Sequence, residues 1–384
     1  MLLKKIIALA VAAAASSAAF AQSNVTVYGA VDLGQAFVKS SGSSVANTEQ
    51  GTVGRLDNNS SHIGFKGVED LGNGLKALFT YEVGFAADTG VIGTTNTYGT
   101  RDAYIGLTGG FGTVVAGNLT HPLRAFGAKV ELTPAAAGFG TMASVTGTIA
   151  GLHTGADNRA NNAVAYVSPS FGGFSGTVAY INGEQKTNAA ASATADANVN
   201  TRAYQVAAQY DNGPLFVGAG YHKAKEPQLG YNSFQATPVT AAADGVDARV
   251  IRLAAVYTLP TATKLTALYD NTKVSGDGFI KRNAFSLGVA QSFGKNTVGV
   301  EYAQSGKIKT DAGTADQTKV SMWTAVYSYE LSKRTMLHAR YSRLANQDEM
   351  NTNFYLNPVN QGAATVDAAG ANYTGYMVGL RHSF

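Results

Sequence analysis

Met336-Leu-His-Ala-Arg-Tyr-Ser342 decides how this chain folds. Leu337, Ala339 and Tyr341 are apolar, while Met336, His338, Arg340 and Ser342 around them are mostly polar. Successive side chains of a strand point to opposite faces, so the stretch reads as a strand with one apolar and one polar side. The split recurs at Ile251, Leu253, Ala255 and Tyr257 against Arg252, Ala254 and Thr258, and at Phe285, Leu287 and Val289 against Arg282, Ser286 and Gly288. Near the C-terminus Tyr376, Val378 and Leu380 alternate with Gly379, Arg381 and Ser383. Helical spacing would set Leu253 beside Tyr257 but would also bring Arg249 onto that stripe, so a period of two fits better.

Turn signals between these runs fall into two length classes. Short ones stand at Asp70-Leu-Gly-Asn73, Gly109-Gly-Phe111, Pro169-Ser-Phe-Gly-Gly173, Asp211-Asn-Gly-Pro214, Pro260-Thr261, Gly294-Lys-Asn296 and Leu331-Ser-Lys-Arg334. Each is rich in the Gly, Pro, Asn, Asp or Ser that tight turns favour. Longer polar stretches cover 40–51, 88–97, 118–159, 185–200, 227–245, 275–281, 309–317 and 347–371. Seven short and eight long connections join sixteen strands. Alternating short turns and long loops, with an even strand number, is the layout of an outer-membrane β-barrel. Tyr81, Tyr104, Tyr166, Tyr180, Tyr210, Tyr257, Tyr302 and Tyr329 near strand ends suit its interfacial aromatic girdles. A barrel must close on itself, so the strands form a single domain.

Composition agrees. Only 14% of residues are charged, against roughly 25% in ordinary soluble domains. The longest apolar run, Ile6–Ala15, has ten residues, and a helix crossing a bilayer needs ~20. A hydrophobic content of 45% with net charge +4 excludes a disordered chain. The absence of Cys excludes a disulfide scaffold and a thiolate metal site. Lys4 and Lys5, the apolar Ile6–Ala15 and Ala19-Phe20-Ala21 form the three parts of a secretory signal peptide. Residues 1–21 are therefore expected to be removed, leaving 22–384 as the barrel. The loss of two lysines lowers the net charge to +2, which argues against nucleic acid as a partner.

Val25-Thr-Val-Tyr-Gly-Ala-Val-Asp32 is similar to the opening strand of Gram-negative general porins of the β-proteobacterial type, and His62-Ile-Gly-Phe-Lys-Gly-Val-Glu-Asp-Leu-Gly72 to their second strand and first turn. Gly74–Phe79, Ala103–Leu107, Phe111–Val115, Tyr329–Thr335 and Gly379–Phe384 continue the likeness in order across nearly the whole chain. The resemblance implies a 16-stranded antiparallel transmembrane barrel that assembles as a homotrimer, with its third long loop folded into the lumen. It further implies contact with outer-membrane lipid and lipopolysaccharide, and insertion by the barrel-assembly machinery through the terminal Phe384. By strand parity Phe384 belongs with Tyr376, Val378 and Leu380 on the lipid face.

A sixteen-strand barrel is too wide for side chains to fill and leaves an aqueous channel, which selects by width and by charge at its narrowest point. The connection Asn118–Arg159 exceeds the others in length, and a long loop in a compact protein is usually functional. Its start, Thr120-His-Pro-Leu-Arg-Ala-Phe-Gly127, resembles the family's constriction loop. The likeness places His62, Lys66, Arg101 and Arg159 at wall positions that are often basic. His62 stands where arginine is usual, and with a pKa near ~6.5 it would be mostly neutral at pH 7. On the loop, Glu131 is the one acid before Asp157, whereas Arg124, Lys129, His121 and His153 are basic. Where relatives carry an acidic cluster, this chain reads Leu132-Thr-Pro-Ala-Ala-Ala-Gly-Phe-Gly140. Inward parity adds Arg252, Arg282 and Arg340 against Asp32, Glu82 and Glu301. A focused positive potential raises the local anion concentration, so the expected behaviour is passage of small ions and hydrophilic solutes with mild anion preference. Ordinary solvation of the lumen would explain any single arginine equally well.

Three other functions compete. A membrane hydrolase would use some of His62, His121, His153, His222, His338 and His382, but such a site is defined by geometry and no nucleophile motif stands out, so no enzyme activity is expected. A solute-specific channel would line its lumen with aromatics, whereas here only Tyr28, Phe216 and Tyr104 are candidates. A structural or adhesive barrel would have a closed lumen. Gly106-x-x-Gly109-Gly110 has no helix after it and so fails as a nucleotide motif. Asp348 and Glu349 read as an exposed loop rather than a calcium site, and no cofactor or metal is expected.

Overall fold

The structure, a computed structural model, describes residues 24–46, 48–92, 101–149, 152–153, 156–186, 200–226, 245–359 and 368–384. The expected signal peptide lies outside these residues. Sixteen strands run in chain order: β1 (Asn24–Ser41), β2 in two pieces (Val53–Asn58 and His62–Gly72), β3 (Leu75–Gly84), β4 (Ala103–Gly109), β5 (Gly112–Thr120), β6 (Arg159–Val167), β7 (Phe174–Lys186), β8 (Asn200–Asn212), β9 (Leu215–Lys225), β10 (Asp247–Thr258), β11 (Thr263–Ser275), β12 (Phe279–Phe293), β13 (Asn296–Ser305), β14 (Val320–Ser332), β15 (Thr335–Asn346) and β16 (Asn372–Ser383). Each pairs antiparallel with its sequence neighbours. β1 also pairs with β16, from Ala30 opposite Ser383 to Ser41 opposite Asn372. Gly29 and Phe384 complete the seam by exchanging both backbone hydrogen bonds at 3.0 Å. The sheet therefore has no free edge, the condition for satisfying a β backbone in lipid.

Parity sorts the side chains as the sequence indicates. Tyr341 is 45% exposed and Val378 65%, while the intervening Arg340 and Ser342 are buried. Leu253, Leu287, Val289, Leu337, Tyr376 and Leu380 are likewise exposed on the outer wall. Cross-strand aromatic pairs there include Tyr180 with Tyr204, Phe174 with Tyr210, and Tyr302 with Trp323. The ring of Phe384 lies over Gly29, on the outer face.

Long and short connections alternate with one exception. The stretch 275–281 was expected to be a long loop, yet Ser275 and Phe279 are register partners and only Gly276–Gly278 turns between them. Polar residues at the ends of β11 and β12 continue the ladder instead of leaving it. β2 is interrupted at Asn59–Ser61, where Ser60 has φ 68°. The Asn59 amide donates to Asp32 at 3.1 Å and the Ser61 hydroxyl accepts from the Asp32 N–H at 3.0 Å, so the break stays tied to β1.

The third long connection carries helix α1 (Pro122–Val130). Pro122 occupies the first turn, where its missing N–H costs nothing. Leu123, Phe126 and Val130 form one buried stripe, and Lys129 in the last turn suits the negative end of the helix dipole. That stripe packs on the inner wall of β8–β11. Gly218 and Gly220 of β9 make the approach possible, since a Cβ there would come within 3.0 Å of the Phe126 ring and 2.6 Å of Leu123.

An arginine on the lipid side of the mid-barrel should be costly where one nearer the rim is tolerated. Leu287→Arg is expected to lower stability by about 2–4 kcal/mol in reversible unfolding from lipid vesicles, and Asn283→Arg by at most about 1 kcal/mol. Equal losses at both positions would contradict this orientation of the wall.

Candidate functional site

The third connection is held inside the barrel by inward side chains from successive strands. Arg252 of β10 is fully buried. It donates to the Leu123 carbonyl at 2.9 Å, to Asp270 of β11 at 2.8 and 2.6 Å, and to both oxygens of Asp157, one at 2.8 Å. One guanidinium thus joins the start of the connection to its end. Further along, Leu132 N–H donates to Glu301 of β13 at 3.2 Å and the Arg282 guanidinium of β12 to the Val145 carbonyl at 2.7 Å. Thr324 of β14 donates to the Gly140 carbonyl at 2.8 Å, and Arg340 of β15 to the carbonyls of Ala137 and Phe139. The last long connection adds Tyr355, whose N–H donates to Ser144 at 2.9 Å and whose hydroxyl donates to Asn158 at 2.5 Å. Arg252, Arg282 and Arg340 face inward as parity requires, but they bind the loop instead of lining open space.

The opposite wall is less filled. Arg101, just before β4, pairs with Glu82 of β3 and donates to the Ser60 hydroxyl at 2.7 Å. Arg159, at the start of β6, donates to Asp102 at 3.0 Å and lies 3.9 Å from Glu82. His62 Nε2 is 3.8 Å from Glu82, and its Nδ1 lies 2.9 Å from the Ser60 carbonyl. The Tyr28 hydroxyl donates to Glu82 at 3.2 Å. From the loop, Arg124 donates to the Asp157 carbonyl. Burial and the neighbouring Arg159 charge lower its proton affinity below the usual arginine range. Towards the short-turn end Lys66 lies 5.0 Å over the Tyr28 ring, beside Thr26, Asp70, Lys76 and Thr80, which line a cavity of about 510 Å³. A second cavity of about 410 Å³ separates α1 from the wall that includes Tyr104, Ala163 and Thr177.

A profile of the Gram-negative porins matches residues 8–349. The chain belongs to that family. It is 34% identical over 390 residues to outer membrane porin protein 32 of Delftia acidovorans, covering 99% of each. It is 31% identical to major outer membrane protein P.IB of Neisseria gonorrhoeae, covering 86% of this chain and 90% of that one. The solved structure of an anion-selective porin from Comamonas acidovorans superposes with TM-score 0.73 at 30% identity, covering 94% of this chain and 100% of that one. The protein is an outer-membrane porin, and its relatives are channels.

In this porin His62, Arg101 and Arg159 come together around Glu82, Arg124 lies close enough to Arg159 to feel its charge, and Lys66 stands farther along the same wall. Lys129 and Glu131 do not join them. Lys129 pairs with Asp211 at the β8–β9 turn and lies 4.4 Å over Phe216. Glu131 turns into the packing behind α1 and accepts from the N–H groups of Met142 at 2.8 Å and Thr133 at 3.2 Å. Both were expected at the constriction, and the helix geometry carries both away. His121 lies buried against His222 with ring centroids 5.5 Å apart, and the side chain of His153 lies outside the described residues. Asp102 and Lys76 belong to the open wall and were missed as site residues, and Tyr28, read only as a lumen aromatic, joins them through its hydrogen bond to Glu82. Their signal was parity with Glu82 for Asp102 and Lys76 and with Lys66 for Tyr28. Among the described residues no three His, Asp or Glu side chains converge as metal ligands.

Burial holds the Glu131 carboxyl above its ordinary range. The folded loop therefore keeps a proton that the unfolded chain releases near pH ~4.3. The resulting stability is complete below that value and falls as pH rises through the folded pKa. Thermal unfolding of wild type should accordingly decline from acid towards alkaline pH more steeply than that of Glu131→Gln. Superimposable pH profiles would remove Glu131 as the source.

Proposed function

We propose that this porin is a passive, water-filled channel for small hydrophilic solutes and ions, with a mild preference for anions. One observation carries the preference. Arg101, Arg124, Arg159, Lys66 and Lys76 stand on the open side of the lumen against Glu82, Asp102 and Asp70, while the loop acid Glu131 is turned away. Five cations against three carboxylates leave an excess of positive charge where low-dielectric walls focus the field. The anion-selective porin of Comamonas acidovorans, similar over 94% of this chain, supports the same reading. The functional unit is a homotrimer of residues 22–384 after removal of the signal peptide at 1–21. A solute-specific channel is less well supported, because the ring of Tyr28 on this wall is covered by Lys66.

The zero-current potential in a planar bilayer under a KCl gradient tests this. Wild type should show chloride passing faster than potassium. Neutralising two of the five cations in Arg101→Gln/Arg159→Gln should bring the permeability ratio close to unity or below. Cation selectivity in the wild type would overturn the reading, and saturable block by one sugar or dicarboxylate would favour a specific channel.

A further inference from the structure

The crevice between α1 and the wall of β5–β8 is unlike the rest of the lumen. Register sets Val115 of β5 opposite Ala165 of β6, Ala165 opposite Ala179 of β7, and Ala179 opposite Gln205 of β8. Direct cross-strand partners share a face. That face is inward, because the flanking Val114, Val164, Tyr166, Val178 and Tyr204 are exposed on the outer wall. The lumen face of such a barrel is ordinarily polar, yet here small apolar side chains cross three strands, with Ala163 beside them. At ~4.8 Å per strand the row from Val115 to Ala179 is roughly 10 Å wide. α1 leaves it uncovered, because Leu123 and Phe126 lean onto Gly218 and Gly220 of β9. The remaining cavity, about 410 Å³ with Pro122, Ala125 and Phe126 on its far side, has the size of a small-molecule site, roughly 300–1,000 Å³.

Gln205 ends the row with a polar group. Its side chain is fully buried and lines the cavity. One amide atom lies 2.9 Å from His222 Nδ1, and the other has no partner among the described residues. A buried polar atom left unpaired is costly, so a ligand that reaches this amide gains by satisfying it. Among the described residues no Lys or Arg lines the cavity. The Asp102 carboxylate at its edge is already bonded to Arg159 at 3.0 Å and to Thr120 at 2.8 and 3.1 Å. An anion therefore finds no lysine or arginine here and a cation no free carboxylate. A sugar finds no partners for most of its hydroxyls along the alanine row.

We propose that this crevice binds a small uncharged aromatic alcohol of the phenol class. The ring lies between Phe126 of α1 and the ledge made by the methyl groups of Ala165 and Ala179. Its hydroxyl meets Gln205, one strand further along the row. A hydroxyl both donates and accepts, so it satisfies the free end of the amide whichever atom stands there. The flat ledge suits a planar ring better than a branched aliphatic alcohol. The site lies beside the cluster of Arg101 and Arg159, not within it. Entry from the lumen rests on the open channel proposed above, whereas the binding surface itself does not.

The test uses the full mature barrel in detergent, with 4-fluorophenol as the probe and fluorine NMR reading saturable binding above detergent partition. Fluorobenzene, which lacks the hydroxyl, should bind wild type about tenfold more weakly, the worth of one net hydrogen bond. Gln205→Leu should bind 4-fluorophenol about tenfold more weakly and should no longer distinguish the two ligands. Ala165→Leu/Ala179→Leu, which fills the ledge, should lose saturable binding of both, and 4-fluorobenzoate should not compete in wild type. Equal affinity of wild type for 4-fluorophenol and fluorobenzene would overturn the proposal whether or not the variants fold. Saturable binding that survives the filled ledge would also overturn it, and so would competition by 4-fluorobenzoate, which would mean an anion site. Planar-bilayer conductance of the same protein separates this inference from the channel on which entry depends. A barrel that binds the probe without conducting would strike the channel and leave the site, whereas one that conducts without binding would strike the site alone.

Discussion

Hydrocarbon offers no water to backbone N–H and C=O groups, so each must find a partner within the protein. The β1–β16 ladder meets that requirement, and the Gly29–Phe384 exchange carries it to the last residue. Much else follows from closure. Sixteen strands bent into a ring enclose more space than their inward side chains can occupy, and a long connection is available to enter it. The same ring leaves the outer wall to lipid, which is why Val378 can be more exposed than most polar residues of the inner face.

What the connection does inside is governed by Arg252. Burying an ion costs several kcal/mol unless charges and hydrogen bonds compensate it. Here Asp270 comes from the neighbouring strand, while Asp157 and the Leu123 carbonyl come from the connection itself. The compensation is complete only when both ends of the connection are in place. Leu123 and Phe126 over Gly218 and Gly220 supply apolar area, but apolar contact is not directional. The guanidinium adds a defined position. The loop is thereby drawn to the β8–β15 side, leaving Arg101, Arg159 and Glu82 facing the less filled space.

The barrel was largely legible in the sequence, because period-two alternation reports the face of a strand whatever lies beyond it. The Gly276–Gly278 turn was not. The ends of β11 and β12 rise past the apolar band and carry Asn271, Lys273, Lys281 and Asn283, so composition made ordered strand resemble loop. The site was legible only in part. Parity put Arg159 and Arg252 alike on the inner face, but it cannot tell which inward arginine the connection will cover. Glu131 was misjudged for the same reason, since it lies one residue past α1 and its direction depends on where the helix ends. The inward Gly218 and Gly220 were the available signal, two missing side chains in succession where a neighbour leans on the wall.

The β1–β16 seam also bears on how the molecule is made. Its partners are separated by nearly the whole chain, as in Ser41 opposite Asn372 and Ala30 opposite Ser383. Such pairings are the slowest class of contact to form, because most of the chain's entropy is lost before they can form. The strand exported first therefore waits, unpaired on one side, until the strand exported last arrives. During that interval β1 presents an open edge of the kind that recruits foreign strands.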